Sequence, residues 1–388
     1  MIACLVALAI ALQEEPEPVK PAKPKPVKKA ADEWTASPAV RLDVAYNSNI
    51  WQLDGEDQDR LLADQPGDQI SGRYDDLESI EDWIFTPSVR LGAKGPSPFG
   101  GKLEAYAELE WQQYAVNTAR SHLRARLGAE QKVGANGRLG LDVEFIPDYF
   151  HENRLSDATD FTGSVSSSER VYKAAHYRQI EASLSYRHTL VESDDFSLDG
   201  VAAVGLRLRN STFDSRDEFA PPVEIGLRAR SWKRVKWKLA FQLEQIDSPG
   251  EREVLLRDEP FFGTDLNGDG DLIDVDARAF ETVDRSRRET SVIAGVEVEV
   301  IEAVSIGLEW KRTRKDWSSG ELYDTSHRDR TDTHDEIELT AKVRLSREWE
   351  VRFQYEYTLQ ESNRDADPSG ESHDYKRNIF VLSVIFRG

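Results

Sequence analysis

Asp265, Asn267, Asp269, Asp271 and Asp276 fall within twelve residues, the first four at every second position. If the chain curves, carboxylates and an amide so spaced can turn several oxygen atoms toward one point. Gly270 sits at the sixth position of the run, where a sharp turn is needed. Hard oxygen donors in a curved loop suit Ca2+, with a backbone carbonyl from the seventh residue and a carboxylate at the twelfth closing the site. The expected ligands are Asp265, Asn267, Asp269 and Asp276 by side chain and Asp271 through its carbonyl, and Leu272 supplies an apolar eighth position.

The run Asp265–Asp276 resembles the calcium loop of EF-hand and dockerin-type repeats, and that resemblance implies metal binding by this loop alone. Ile273 stands where a polar ninth residue is usual, and Asp276 where EF-hands carry Glu, as in the dockerin type. Covalent chemistry finds no comparable set. The seven histidines lie mostly in loops or at the ends of apolar segments, and no G-x-S-x-G elbow is present. Cys4 is the only cysteine, which leaves no disulfide framework and no cysteine metal site in the body of the chain. The sequence therefore predicts a protein that is not an enzyme.

The elements that must position the acidic loop are strands. Val40, Leu42, Val44 and Tyr46 alternate with Arg41, Asp43 and Ala45. The pattern recurs at Leu103/Ala105/Ala107/Leu109/Trp111, Leu139/Leu141/Val143/Phe145, Trp237/Leu239/Phe241/Leu243, Val292/Ala294/Val296/Val298, Ile337/Leu339/Ala341/Val343 and Val351/Phe353/Tyr355/Tyr357. Phe380, Leu382, Val384 and Phe386 close the series beside the last residue. Successive side chains of a strand point to opposite faces, so each copy has one apolar and one charged face. About fourteen such segments can be counted. Val296 is assigned to the lipid face and Glu297 to the lumen, so an arginine at 297 should be far milder than one at 296.

The links alternate too. Long acidic stretches near 47–79, 150–177, 247–288 and 316–334 are separated by short turns at 95–101, 134–137, 192–195, 233–235, 301–303 and 346–348. Bilayer-crossing strands of about 9–11 residues, paired by short turns on one side and long loops on the other, give a closed barrel with no unpaired edge in lipid. The predicted fold is all-β, a transmembrane antiparallel up-and-down β-barrel of about 14 strands. A hydrophobic content of 39% and a mean hydropathy of −0.59 agree once half of every strand faces a polar lumen. Tyr46, Trp83, Phe85, Trp111, Tyr114 and Tyr149 are assigned to one interfacial girdle, and Tyr186, Phe196, Trp232, Trp237, Trp349 and Phe386 to the other.

The formal net charge is −21. Lumen-facing positions mix Arg41, Arg90, Arg124, Arg126, Arg187, Arg228, Arg344 and Arg352 with Asp43, Glu104, Glu108, Asp142, Glu144, Glu181, Glu244, Glu309, Glu338 and Glu356, so most of the excess acid sits in the long loops. Opposite charges across a sheet face attract. An acidic mouth enriches cations, and it makes nucleic acid an unsuitable partner.

Residues 1–11 carry an apolar run, Leu5–Ala11, with an A-x-A-like end, and are predicted to be a signal peptide. Residues 12–36 form a Pro/Lys-rich linker, extended and semi-rigid, placed in the periplasm. Residues 37–388 are assigned to the barrel with its long acidic extracellular loops.

From Ala39 to Gly388 the chain resembles Gram-negative outer-membrane β-barrel proteins of the porin-like type. It is similar, more weakly, to the barrel domain of surface lipoprotein assembly modifiers. The first resemblance implies an outer-membrane location, contact with outer-membrane lipid, insertion by the barrel assembly machinery through the strand ending at Phe386, and passive diffusion of small solutes, with the acidic mouth favouring cations. The alternative is a structural, surface-interaction barrel that displays calcium-ordered loops. In either case the linker could tether peptidoglycan or a periplasmic protein.

Overall fold

The structure is a computed structural model that describes residues 33–53, 58–59, 78–97, 101–155, 172–212, 217–248, 251–256, 261–262, 273–274, 278–319, 327–363 and 374–388. Fourteen strands close one barrel. They are β1 Thr35–Asn47, β2 Asp82–Pro96, β3 Lys102–Tyr114, β4 His122–Val133, β5 Gly137–Leu155, β6 Tyr172–Glu192 and β7 Phe196–Ser211, followed by β8 Val223–Ser231, β9 Val235–Ile246, β10 Arg287–Ile301, β11 Val304–Trp317, β12 Thr331–Arg344, β13 Trp349–Ser362 and β14 Tyr375–Arg387. A three-residue strand, Glu218–Ala220, prolongs the β8 line beyond Pro221–Pro222 and also pairs with β7. Proline cannot donate to the ladder, so the line breaks there.

Each strand pairs antiparallel with its neighbours in sequence. The circle is completed by β1 against β14, from Ala39↔Arg387 to Asn47↔Ile379. The even count puts the start of β1 and the end of β14 at the end where the short turns lie. Strand β1 begins at Thr35, where Thr35–Pro38 continue the pairing with β2. The connection from β3 to β4 has seven residues and holds a 3-10 turn, Thr118–Arg120, so one link at the long-loop end is itself short.

The faces fall as alternation requires. Val89, Leu91, Leu127, Ile225 and Leu239 are each more than half exposed, and Val40, Leu42, Leu382 and Val384 share their outward side. A continuous apolar belt around a closed sheet is stable against hydrocarbon and not against water. The barrel is therefore a membrane-spanning one. Aromatic pairs mark its edges: Tyr46–Trp83 at 5.3 Å near the long loops and Trp349–Phe386 at 5.0 Å near the turns.

Two aromatics assigned to the girdle belong inside. Tyr114 is buried, on the same side of β3 as Glu108 and Glu110. In β5 a bulge sets three steps, Ile146 to Tyr149, against the two from Gln179 to Tyr177 in β6, and the extra residue turns Tyr149 to the lumen side.

Candidate functional site

The lumen is walled by side chains of both signs held in contact. On the β1–β5 side Arg41 meets Asp43 at 3.2 Å, Glu108 at 3.3 Å and Glu110 at 2.8 Å. Arg124 reaches Glu110 at 3.4 Å and Arg126 reaches Glu144 at 2.8 Å. Arg90 stacks on the Tyr106 ring at 3.7 Å, and the Tyr106 hydroxyl donates to Asp142 at 2.9 Å. On the opposite wall Arg207 pairs with Glu244 at 3.1 Å, and Arg287 bridges Glu218 at 3.1 Å and Glu289 at 2.8 Å. Arg377 pairs with Glu356 at 2.7 Å and Arg352 with Glu350 at 3.2 Å. Most of the lumen charges picked out by alternation thus lie in the cross-strand ladder that opposite charges favour.

At the long-loop end the chain after β1 turns over the mouth. The Asn49 side chain is buried and cross-ties this segment. Its Nδ2 donates to the carbonyls of Leu53 at 2.6 Å and Lys376 at 3.0 Å, and its Oδ1 accepts from Leu53 N at 3.1 Å. Ile50, Trp51 and Leu53 pack with Tyr114 and Phe150. Arg120, delivered by the 3-10 turn, locks the cluster. Its guanidinium lies 4.4 Å from the Trp51 ring centre and 5.2 Å from that of Tyr149, and it donates to the Ile50 carbonyl at 2.5 Å and to the Tyr149 hydroxyl.

Beneath the mouth, the Asp82 carboxylate accepts from the amides of Ala115, Val116 and Asn117 and from the Asn117 side chain, at 2.7–3.0 Å. This fixes the connection that carries Arg120. Sequence reading passed over Asp82, Arg120 and Trp51. The parity that Tyr114 shares with Glu108 was the available clue to an inward cluster here.

Space remains among these side chains. A cavity of 410 Å³ lies under the mouth cluster, lined by Gln52, Arg124, Glu144 and Tyr177 among others. Toward the turn end are two larger ones. The first, 690 Å³, is bounded by Arg41, Arg90, Glu104, Glu108 and Asp142, and the second, 550 Å³, by Arg228, Arg230, Lys236, Lys238, Glu297 and Glu309. A lumen of this kind is wettable and polar, and it holds volumes of the size that small solutes need.

The proposed calcium ligands Asp265, Asn267, Asp269, Asp271 and Asp276 lie outside the described residues, as do residues 1–32, which include the predicted signal peptide and most of the linker. Of the surrounding chain, Phe261–Phe262 pair antiparallel with Ile273–Asp274, and Glu251–Leu256 with Arg278–Val283. Among the described residues no group of three or more His, Cys, Asp or Glu side chains is placed to hold a metal ion.

No protein-family model matches the chain, and no curated protein does. Among solved structures it is similar to the outer membrane channel DcaP of Acinetobacter baumannii, at 11% identity and a TM-score of 0.44 over 93% of this chain and 99% of that one. A bacterial polysaccharide outer membrane secretin matches at 8% identity and 0.43, over 90% and 98%. OmpT of Vibrio cholerae matches at 9% identity and 0.42, over 93% and 99%.

Proposed function

We propose that this barrel is a porin-like channel of the outer membrane of a Gram-negative bacterium, passing small polar solutes by diffusion without chemical change. One observation carries the reading. The closed barrel has an apolar belt outside and a charged, incompletely filled lumen inside, with cavities of 690, 550 and 410 Å³ along it. A barrel of this strand number is wide enough for a water path between its side chains. The short turns face the periplasm and the long loops the exterior, the arrangement usual for such barrels. The acidic loops then raise the concentration of cations at the outer mouth, so passage is cation-preferring.

The test is conductance of the refolded protein in a planar bilayer. Discrete steps with a reversal potential on the cation side are expected. A folded barrel that stays silent would overturn the channel reading in favour of a structural, surface-interaction barrel whose linker tethers peptidoglycan or a periplasmic protein.

The segment Asp265–Asp276 is proposed to bind Ca2+. Its donors are all hard oxygens at the spacing such a loop needs. Calorimetric titration of the refolded barrel with Ca2+ should show one saturable site that Asp269→Ala abolishes. Heat of dilution alone would remove calcium from the account.

A further inference from the structure

Across most of the lumen wall, ion pairs of opposite sign join neighbouring strands. Like charges also stand opposite one another in places, as at Arg138↔Arg187 and Lys342↔Arg352, and strands β8 and β9 carry two such cationic pairs in succession. On their lumen face Arg228 stands directly opposite Lys238, and Arg230 directly opposite Lys236. Two like-charged cross-strand pairs in succession repel at side-chain contact distance. The lysines lean away toward β10 and β11. Lys236 holds Glu297, which Lys342 also holds from the other side, and Lys238 reaches both oxygens of Glu309 at 3.2 and 3.1 Å. Neither arginine makes an ion pair among the described residues. Among the described residues Arg230 donates only to the neutral carbonyl of Lys233, at 3.1 and 2.9 Å. Arg228 makes no hydrogen bond or ion pair within the described residues, although Asp199 is its register partner on β7.

All four cations line the 550 Å³ cavity at the turn end, whose lining carries six cationic and four anionic side chains. Gly295 and Gly307 line the same cavity. A Cβ at Gly307 would meet nothing nearer than 3.7 Å, so protein packing does not require a glycine there. Arg187 is already held at 2.6 Å by Glu130 outside the lining, which leaves one surplus positive charge, and the two guanidinium forks and two ammonium groups around the void suit a tetrahedral oxyanion. The forks suit bidentate contact with its oxygens, and the lysines serve as point charges.

We infer that this cavity binds a small oxyanion of the phosphate type, held chiefly by Arg228 and Arg230. The binding does not depend on the channel reading. That the anion is also a permeating solute rests on that reading. A site of this sign at the inner end, behind an acidic outer mouth, would retain the anion on the periplasmic side.

The experiment uses the whole refolded barrel in a neutral detergent, titrated with sodium phosphate at constant ionic strength against sodium chloride. A saturable rise in melting temperature is expected, because a ligand bound only by the folded state stabilises it. Arg228→Gln and Arg230→Gln should each weaken phosphate binding by about tenfold or more, the loss of at least one charge-assisted hydrogen bond. Arg377→Gln, which removes a lumen cation paired to Glu356 elsewhere, should leave the affinity unchanged. In phosphate-free, low-salt buffer Arg228→Gln should raise the melting temperature, because it relieves the repulsion from Lys238.

A phosphate response no larger than that of chloride would overturn the proposal. So would an Arg228→Gln barrel that melts lower and still binds phosphate. Bilayer recordings keep the two readings apart. A silent barrel that binds phosphate sinks the channel alone, and a conducting barrel indifferent to phosphate sinks this site alone.

Discussion

Val296 and Glu297 are adjacent in β10 and live in different solvents. Val296→Arg would put a guanidinium into hydrocarbon and should cost about 2–4 kcal/mol near the bilayer midplane. The reading of the sequence alone makes Glu297→Arg the mild control, and the structure changes that expectation. Glu297 is the shared partner of Lys236 and Lys342, so an arginine there would strip two lysines of their counter-charge and add a third cation beside them. The better comparison is on β13. Phe353→Arg should lose about 2–4 kcal/mol in urea unfolding from lipid vesicles. Gln354→Arg, whose neighbour Glu338 already accepts from the glutamine at 3.1 Å, should stay within about 1 kcal/mol of the parent, as surface substitutions do. Equal losses would mean that the faces are misassigned. At the mouth, Arg120→Ala removes the cation packed against Trp51 and Tyr149. It should raise single-channel conductance and cost about 2–3 kcal/mol, the worth of a stacked, hydrogen-bonded cation. Unchanged conductance would show that this cluster does not narrow the path.

At the scale of the strand, alternation made the sheet legible because each side chain has only two directions in which to point. Val40/Leu42, Leu239/Phe241 and Phe380/Leu382 needed no partner information to be assigned outward. That logic fails where the count slips. The bulge between Ile146 and Tyr149 inverts parity, and Tyr149 moves from the girdle to the lumen; Pro147, which cannot donate to the ladder, was the one local sign of it. Long-range fits were equally hidden. Gly128 reads as an unremarked residue of β4, yet a Cβ there would lie 2.2 Å from the Tyr106 ring and 2.7 Å from an Asp142 oxygen. The tyrosine crosses the glycine to reach that carboxylate, while Arg90 covers its other face. Gly128→Val should therefore displace Tyr106 and destabilise the barrel by about 1–3 kcal/mol, the usual penalty of overpacking. Calorimetric melting of the refolded variant measures it, and a melting point equal to the parent's would refute the close fit.

For the whole molecule, the net charge of −21 is a property of the loops more than of the wall, where Arg41, Arg126, Arg287 and Arg377 each find an acid. Charges in open loops are screened over about 8 Å at physiological ionic strength and about 3 Å at 1 M. Cation preference measured at 0.1 M salt should accordingly shrink markedly at 1 M, while conductance steps persist. A preference that survives 1 M salt would locate selectivity in the wall instead. Charge sums could be read from the sequence, but the like-charged square of Arg228, Arg230, Lys236 and Lys238 could not. It exists only in the register of β8 against β9, which the three-residue turn at 232–234 sets and composition does not reveal.

The pairing of β1 with β14 has a consequence in time. Every other joint between barrel strands links neighbours in sequence and can form as a local hairpin. This joint must bring Ala39 to Arg387 across nearly the full length of the chain. Pairings between neighbours in sequence close far shorter loops than the seam does, so the seam is the last to zip. Until then two strands present rows of bare amides and carbonyls, which hydrocarbon penalises by several kcal/mol for each unmatched group. The half-made sheet therefore cannot wait in the bilayer alone. Something must cap those two rows during insertion, and the segment from Ile379 to Arg387 is one of the two places where that temporary partner has to sit.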